Sequence, residues 1–273
     1  MFDIKKLVLA IAVLGVSSLA LAQSQSLIET GKDFADASLE GFSQGPALTT
    51  VSVGVDYSEG KYGEPVKSRT TTVPLVIKHE TGPFTFKANI PWVTATGTRS
   101  GGGDRATLIK QTESGLGDVT LSGFYTAYTN NTAMFGIDIG GKIKFATADK
   151  SKTLLTTGEN DYSLQGDVYK SFGPTTLFGT LGWTKKGDPD FVDFRDPWYT
   201  TLGVSYRVGA ATALGASYDY RQKVTSRGDP VSEASLFLTH KFTKQLKMQA
   251  YLVGGFSDAS PDFGAGAVIS AGF

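Results

Sequence analysis

The chain has no cysteine, which excludes disulfides and thiolate metal centres. It has only two histidines, His79 and His240, so imidazole chemistry has few places to occur. Beyond the first two dozen residues there is no run of about 18 apolar residues, so no helix of the mature chain would span a bilayer. Mean hydropathy is −0.08, far too polar for a helical membrane protein. There is no long basic stretch, and nucleic acid is therefore not an expected partner. Glycine, by contrast, is abundant at 33 residues, many of them inside strand-like patterns. In a closed barrel such glycines make bends and leave room in the interior.

The amino terminus carries an export address. Lys5 and Lys6 form a basic region, Leu7 to Val16 an apolar core, and Ala20-Leu21-Ala22 a small-x-small site before Gln23. This reads as a signal peptide cut after Ala22. Cleavage removes Lys5, Lys6 and Asp3, so 26 Lys+Arg and 26 Asp+Glu become 24 and 25, a net charge of −1. Residues 23–47 follow with weak helical spacing of Leu27, Ile28, Phe34, Ala35, Leu39 and Phe42, interrupted by Gly31 and Gly41. They read as a periplasmic segment, with a plug in the lumen as the alternative.

From residue 48 to the end, apolar residues recur at every second position. Phe135, Ile137, Ile139, Ile143 and Phe145 alternate with Asp138, Lys142 and Lys144. Leu202, Val204, Tyr206 and Val208 alternate with Thr201, Ser205 and Arg207. Successive strand side chains point to opposite faces, so each such run is a strand with one apolar and one polar face. The last run is Phe263, Ala265, Ala267, Ala271 and Phe273 around Gly264, Gly266, Ser270 and Gly272. A terminal strand closing on an aromatic resembles bacterial outer-membrane barrels, and the resemblance implies that assembly machinery reads Phe273. Short turns, such as Phe172–Pro174 and Gly209–Ala210, alternate with longer loops at Ser58–Pro65, Ala95–Gly115, Ala148–Asp161, Lys186–Pro197 and Lys223–Pro230. Short turns on one side and long loops on the other fit periplasmic turns and extracellular loops.

The fold expected is therefore all-β: an antiparallel transmembrane barrel of about 12 strands over residues 48–273, in the bacterial outer membrane among lipid and lipopolysaccharide. A soluble sandwich would also alternate, but it would not place aromatics at strand ends as Trp92, Tyr128, Trp183 and Trp198 are placed here.

If the apolar face meets lipid, the polar face lines the interior. That assigns Lys78, Lys87, Asp118, Asp138, Lys142, Lys144, Asp167, Arg207, Asp219, Arg221, Glu233, Lys241 and Lys247 to the lumen. A polar wall admits water and suits a passive channel for small solutes, whereas charges that pair across a narrow lumen would fill it and leave a structural or surface-interaction barrel. A lipid-modifying enzyme is the third reading. His79 and His240 fall near short turns without a serine–carboxylate partner to complete a triad, so no catalytic residue is expected. Asp188, Asp190, Asp193 and Asp196 share one loop; their spacing is not that of a calcium loop, so they read as a solvated acidic loop with no metal. No cofactor is expected.

Ser114-Gly-Leu-Gly-Asp-Val-Thr-Leu-Ser-Gly-Phe-Tyr125, with its Gly-Leu-Gly-Asp opening a strand after a long loop, resembles the outer-membrane proteins associated with meta-pathway phenol degradation. The resemblance implies a transporter or channel over residues 50–273, for aromatic or otherwise apolar solutes. Where a Pro-Thr-Gly is expected after the next strands, this chain has Ala146-Thr147-Ala148. On this reading Asp118 sits at a rim of the lumen and pairs with a nearby cation, while Gly115 and Gly117 allow the turn.

Overall fold

The computed structural model describes residues 47–101, 107–189 and 192–273. The proposed signal peptide and all but the last residue of the 23–47 segment lie outside the described residues. Thirteen strands occur among the described residues: β1 Leu48–Gly60, β2 Ser68–Thr81, β3 Phe84–Gly101, β4 Thr107–Leu116, β5 Val119–Asn130, β6 Phe135–Phe145, β7 Asp161–Phe172, β8 Thr175–Lys185, β9 Trp198–Arg207, β10 Thr212–Arg221, β11 Val231–Lys241, β12 Leu246–Gly255 and β13 Phe263–Gly272. All neighbours pair antiparallel, and β1 pairs with β13, so the sheet closes on itself. The thirteen segments make twelve staves. β4 and β5 are one stave broken at Gly117-Asp118, β4 pairing with the outer half of β3 and β5 with its inner half.

The strands follow from the alternation. Val53, Val55, Leu75, Ile77, Ile139, Leu164, Leu202, Leu236 and Leu252 all face outward and are exposed, as a surface solvated by lipid requires. Tyr128, Trp198 and Tyr218 stand exposed toward the strand ends, where amphipathic rings meet the membrane–water interface, whereas Trp92, expected at a strand end, is exposed in the middle of the long β3. An apolar groove of about 880 Å³ also opens on this outer face, with Phe84, Phe86, Leu164 and Trp183 around Gly123 and Gly166. Gly82 and Gly173 take positive φ in two of the short turns, where a side chain would be strained.

One expected loop is not a loop. The segment Ala95–Gly115 is mostly strand: β3 continues to Gly101 and β4 starts at Thr107. Most residues here are small or polar, and the outer face is tied by hydroxyl pairs, Thr94 to Ser114 at 2.8 Å and Thr96 to Thr112 at 2.9 Å. The hairpin extends past the apolar band, so its outer face has no lipid to match and shows no alternation.

Inside the barrel, six aromatic rings lie flat against glycines. Phe124 lies on Gly140, Tyr169 on Gly136, Phe178 on Gly203, Tyr199 on Gly182, Phe237 on Gly215 and Tyr251 on Gly266. In every case the glycine is the direct cross-strand partner of the aromatic residue. A Cβ on any of these glycines would stand within 2.4 Å of a ring atom. The rings are thus inlaid in the wall rather than projecting across the lumen.

Candidate functional site

The two halves of the inner wall differ. On β7 to β12 most inward side chains away from the strand ends are buried: Gln165, Asp167, Thr180, Thr201, Ser217, Asp219, Glu233, Phe237, Gln249 and Tyr251. On β1, β2, β3, β5 and β6 the inward positions Ser52, Asp56, Val76, Lys87, Asn89, Ser122, Phe124, Asp138 and Lys142 are partly exposed, whereas Thr50, Thr70, Thr72, Pro74 and Pro91 on the same face are buried. Around Lys87, Ser122 and Lys142 the inner wall is therefore more open than at the middle of β7 to β12.

The closed half is built from short polar contacts. Asp167 accepts from Thr180 Oγ1 at 2.6 Å and from Gln165 Nε2 at 2.8 Å, and Tyr199 donates to Gln165 at 3.0 Å. Asp219 accepts from Thr201 at 2.6 Å and from Ser217 at 3.2 Å. Glu233 and Arg221 are buried beside one another on paired strands. Buried carboxylates held by hydroxyls in this way fix the wall rather than face a solute.

The open half carries Lys78, Lys87 and Lys142, while Lys241 and Lys247 lie on β11 and β12. Lys87, Ser122 and Lys142 occupy one register row across β3, β5 and β6. The Lys87 ammonium lies 5.3 Å from the centre of the Phe124 ring. Lys78 pairs with Glu80 at 3.0 Å, and Lys241 and Lys247 are cross-strand partners at the periplasmic end. Arg207, although on the inward parity of β9, is exposed at a periplasmic turn, where it reaches the Gly173 carbonyl at 3.4 Å.

At the extracellular end the loops fold inward. Tyr62, Leu154, Leu155, Phe194 and Ala259, each from a different loop except the two leucines, are all buried. The 146–160 segment lies on the inner face of the β3–β4 hairpin, where Leu154 and Leu155 pack on Ala95 and Ala148. It is held by two carboxylates. Glu113 accepts the Leu154 amide at 2.8 Å; Asp118 accepts the Ala148 amide at 3.1 Å and the Thr156 hydroxyl at 2.7 Å. Thr147 donates to the Gly117 carbonyl at 3.2 Å and accepts the Val119 amide at 2.9 Å. The Gly-Leu-Gly-Asp stretch and Ala146-Thr147-Ala148 are therefore in contact, and the cation beside Asp118 is Lys144, at 3.4 Å.

A second ion cluster adjoins the first. Asp161 accepts from Lys186 at 2.5 Å, from Lys144 at 3.1 Å and from the Gly187 amide at 3.1 Å. Burial pushes the Lys186 ammonium down to about 8, with Asp161 working against the shift. Asp161, Lys186, Glu113, Asp56 and Glu80 were not among the residues anticipated from the sequence. Asp56 and Glu80 share the inner parity of their strands and were legible; Lys186 sits just past a strand end, where parity gives no guide.

Replacing Glu113 by alanine strands the Leu154 amide in a buried setting, a loss of about 1–3 kcal/mol. Trypsin should then cut the folded barrel at Lys150 or Lys152 much faster than it cuts the parent. Equal cleavage rates would show that Glu113 does not hold this loop.

The other anticipated features have ordinary roles. His79 lies 2.9 Å from the Thr49 hydroxyl and His240 2.8 Å from the Thr212 hydroxyl, and the His240 ring meets Phe242 edge-on at 4.9 Å. Asp188 accepts the Phe194 amide at 2.7 Å, and Asp196 accepts from Lys185 at 3.1 Å and from the Lys186 amide at 2.9 Å. Asp190 lies outside the described residues. Among the described residues no three acidic or histidine side chains are grouped to hold a metal.

Comparisons with known proteins agree with this architecture. The family described as "Putative MetA-pathway of phenol degradation" matches residues 52–273. An outer membrane channel from Pseudomonas putida F1 is 18% identical, with a TM-score of 0.60 over 84% of this chain and 96% of that one. The KdgM porin is 13% identical, with a TM-score of 0.55 over 82% of this chain and 99% of that one. A second KdgM porin structure, in complex with disordered oligogalacturonate, is 11% identical, with a TM-score of 0.52 over 82% and 98%. No curated protein matches. At these identities the likeness is one of fold, that of an outer-membrane barrel.

Proposed function

The chain belongs to the family described for the MetA-pathway of phenol degradation, and from that premise we propose that it is a passive channel of the bacterial outer membrane for small solutes with aromatic or apolar surface. The observation that carries this reading is the partly exposed polar stretch of inner wall formed by Ser52, Asp56, Lys87, Asn89, Ser122, Asp138 and Lys142. A barrel built only as a surface platform has no need to keep one stretch of wall wet while sealing another. A channel needs a hydrated path narrow enough to select, and sealing part of the wall narrows twelve staves without closing them. Solved barrels of the same fold support it: one is named an outer membrane channel and another a porin.

The reading includes no reaction. Each histidine is engaged by a threonine hydroxyl, and the buried carboxylates are engaged by hydroxyls and amides. In the same reading residues 1–22 export the chain, residues 23–47 remain on the periplasmic side, and Phe273 is the tail presented to assembly machinery. Lipopolysaccharide surrounds the extracellular rim.

The mature protein, refolded into a planar bilayer, should show discrete conductance steps in potassium chloride. Lys142→Glu should shift the reversal potential in a salt gradient toward cations, because Lys142 lies on the wet wall. A barrel that folds but stays silent would sink the channel reading in favour of the structural one.

A further inference from the structure

The wet wall carries one patch built differently from the rest. Lys87 and Lys142 flank Ser122 in a single register row, and all three point inward and are half-exposed. Neighbouring strands stand about 4.8 Å apart, so the two lysine backbones are about 10 Å apart. Their long stems converge readily on one small group above Ser122. Two residues along β5 is Phe124, on the same face. Its ring has a fixed pose: it lies over Gly140, where a Cβ would be 2.2 Å from Cδ1, and the Lys87 ammonium stands 5.3 Å from its centre. The ring is half-exposed, whereas Tyr169, Phe178, Tyr199, Phe237 and Tyr251 are buried. Of the six inlaid rings, Phe124 is the one that water reaches.

Resting on the channel reading, we propose that this patch is a binding station for aromatic carboxylates, with the carboxylate between Lys87 and Lys142 over the Ser122 hydroxyl and the ring against Phe124. A neutral aromatic solute would gain only the stacking contact. An inorganic anion would gain only the lysines. An aromatic carboxylate gains both, since hydrogen bonds between an ammonium and a carboxylate are charge-assisted and an offset ring pair adds its own contribution. The station is also tuned to release. Both lysines lie within electrostatic reach of Asp167, and Lys87 within reach of Asp138 as well. These fixed acids compete for the ammonium groups and shorten the stay of any anion, as conduction requires.

The test uses the full mature chain in a planar bilayer, with benzoate, benzyl alcohol and acetate as probes. Benzoate should interrupt the chloride current at concentrations at least about tenfold below those needed for benzyl alcohol or acetate. Lys87→Met with Lys142→Met should raise the benzoate concentration needed by about tenfold or more, measured relative to that variant's own unblocked current. Phe124→Leu should bring benzoate down to the level of acetate. Equal block by benzoate and benzyl alcohol, or undiminished block in the double variant, overturns the proposal. Should the wild-type barrel not conduct at all, titration calorimetry on the folded protein in detergent decides. Benzoate heat present in the parent and lost in the double variant keeps the station and removes the channel reading, and no heat in the parent overturns the station. Heat-modifiable gel mobility shows that each variant is folded.

Discussion

Gly215→Val is expected to keep most of the chain from reaching a heat-resistant barrel. The fraction that folds should unfold at markedly lower urea in lipid vesicles. The reason is local. A Cβ at Gly215 would lie 2.1 Å from Cζ of Phe237 and 2.6 Å from the carbonyl oxygen of Val204. Phe237 is buried among Tyr169, Phe178, Tyr251 and Val253, so its ring has no space to swing into. The Val204 oxygen belongs to the β9 backbone and moves only if the sheet opens. Overpacking of this kind costs about 3 kcal/mol or more when the neighbours cannot give. Phe237→Ala alone should also cost about 3–5 kcal/mol, from lost burial and the cavity left behind. In one chain the two changes should cost clearly less than the sum of the two alone, because the valine enters the space the ring vacates. A Gly215→Val barrel that unfolds at the parent's urea concentration would show that the ring and glycine are merely adjacent.

This inlay also marks where sequence reasoning stops. The lipid face was legible because lipid demands an apolar residue at every second position, as in Ile137, Ile139 and Ile143 of β6. The long and short connections were legible for the same reason, since each interrupts that period. The β3–β4 hairpin was missed because Thr94, Thr96, Ser114 and Thr112 rise beyond the apolar band and are chosen for hydroxyl pairing. The inner aromatics were missed because alternation says nothing about what an inward residue rests on. In β8, Leu177 and Phe178 are adjacent and both apolar; one faces lipid and the other covers Gly203 on β9. Only the register between strands brings each ring to its glycine. The charged candidates show the same limit. Parity placed Lys87, Lys142, Asp167 and Asp219 inside, yet it could not separate the wet wall of the first two from the sealed wall of the others.

The sealed side has its own point of failure at Asp161, and there the second large effect is expected. Asp161→Asn keeps the size of the side chain and removes its charge, leaving Lys186, whose side chain is only 2% exposed, without its closest counter-charge. An unbalanced buried ammonium costs about 3–5 kcal/mol. Lys144 suffers less, because Asp118 remains 3.4 Å away. Combining Asp161→Asn with Lys186→Met should restore most of the loss, since the penalty lies in the orphaned charge and not in the missing pair. The pH dependence gives an independent readout. Lys186 is held down to about 8 in the folded barrel, while an unfolded lysine titrates near 10.4. Between those values the unfolded chain binds more protons, so this residue makes the barrel more stable as pH rises through that window, and below about 8 its burial penalty is present in full. The difference in stability between the parent and Lys186→Met should therefore change steadily from pH 8 to pH 10 and be flat from pH 6 to 7. A flat difference over the whole range would mean that Lys186 keeps its proton inside the barrel. Because the same carboxylate also holds the Gly187 amide and Lys144, Asp161→Asn should loosen both the 146–160 segment and the start of the β8–β9 loop. In a conducting barrel that loosening should appear as added current noise at the extracellular mouth, with the mean step size little changed, since the lysines of the wet wall stay where they are.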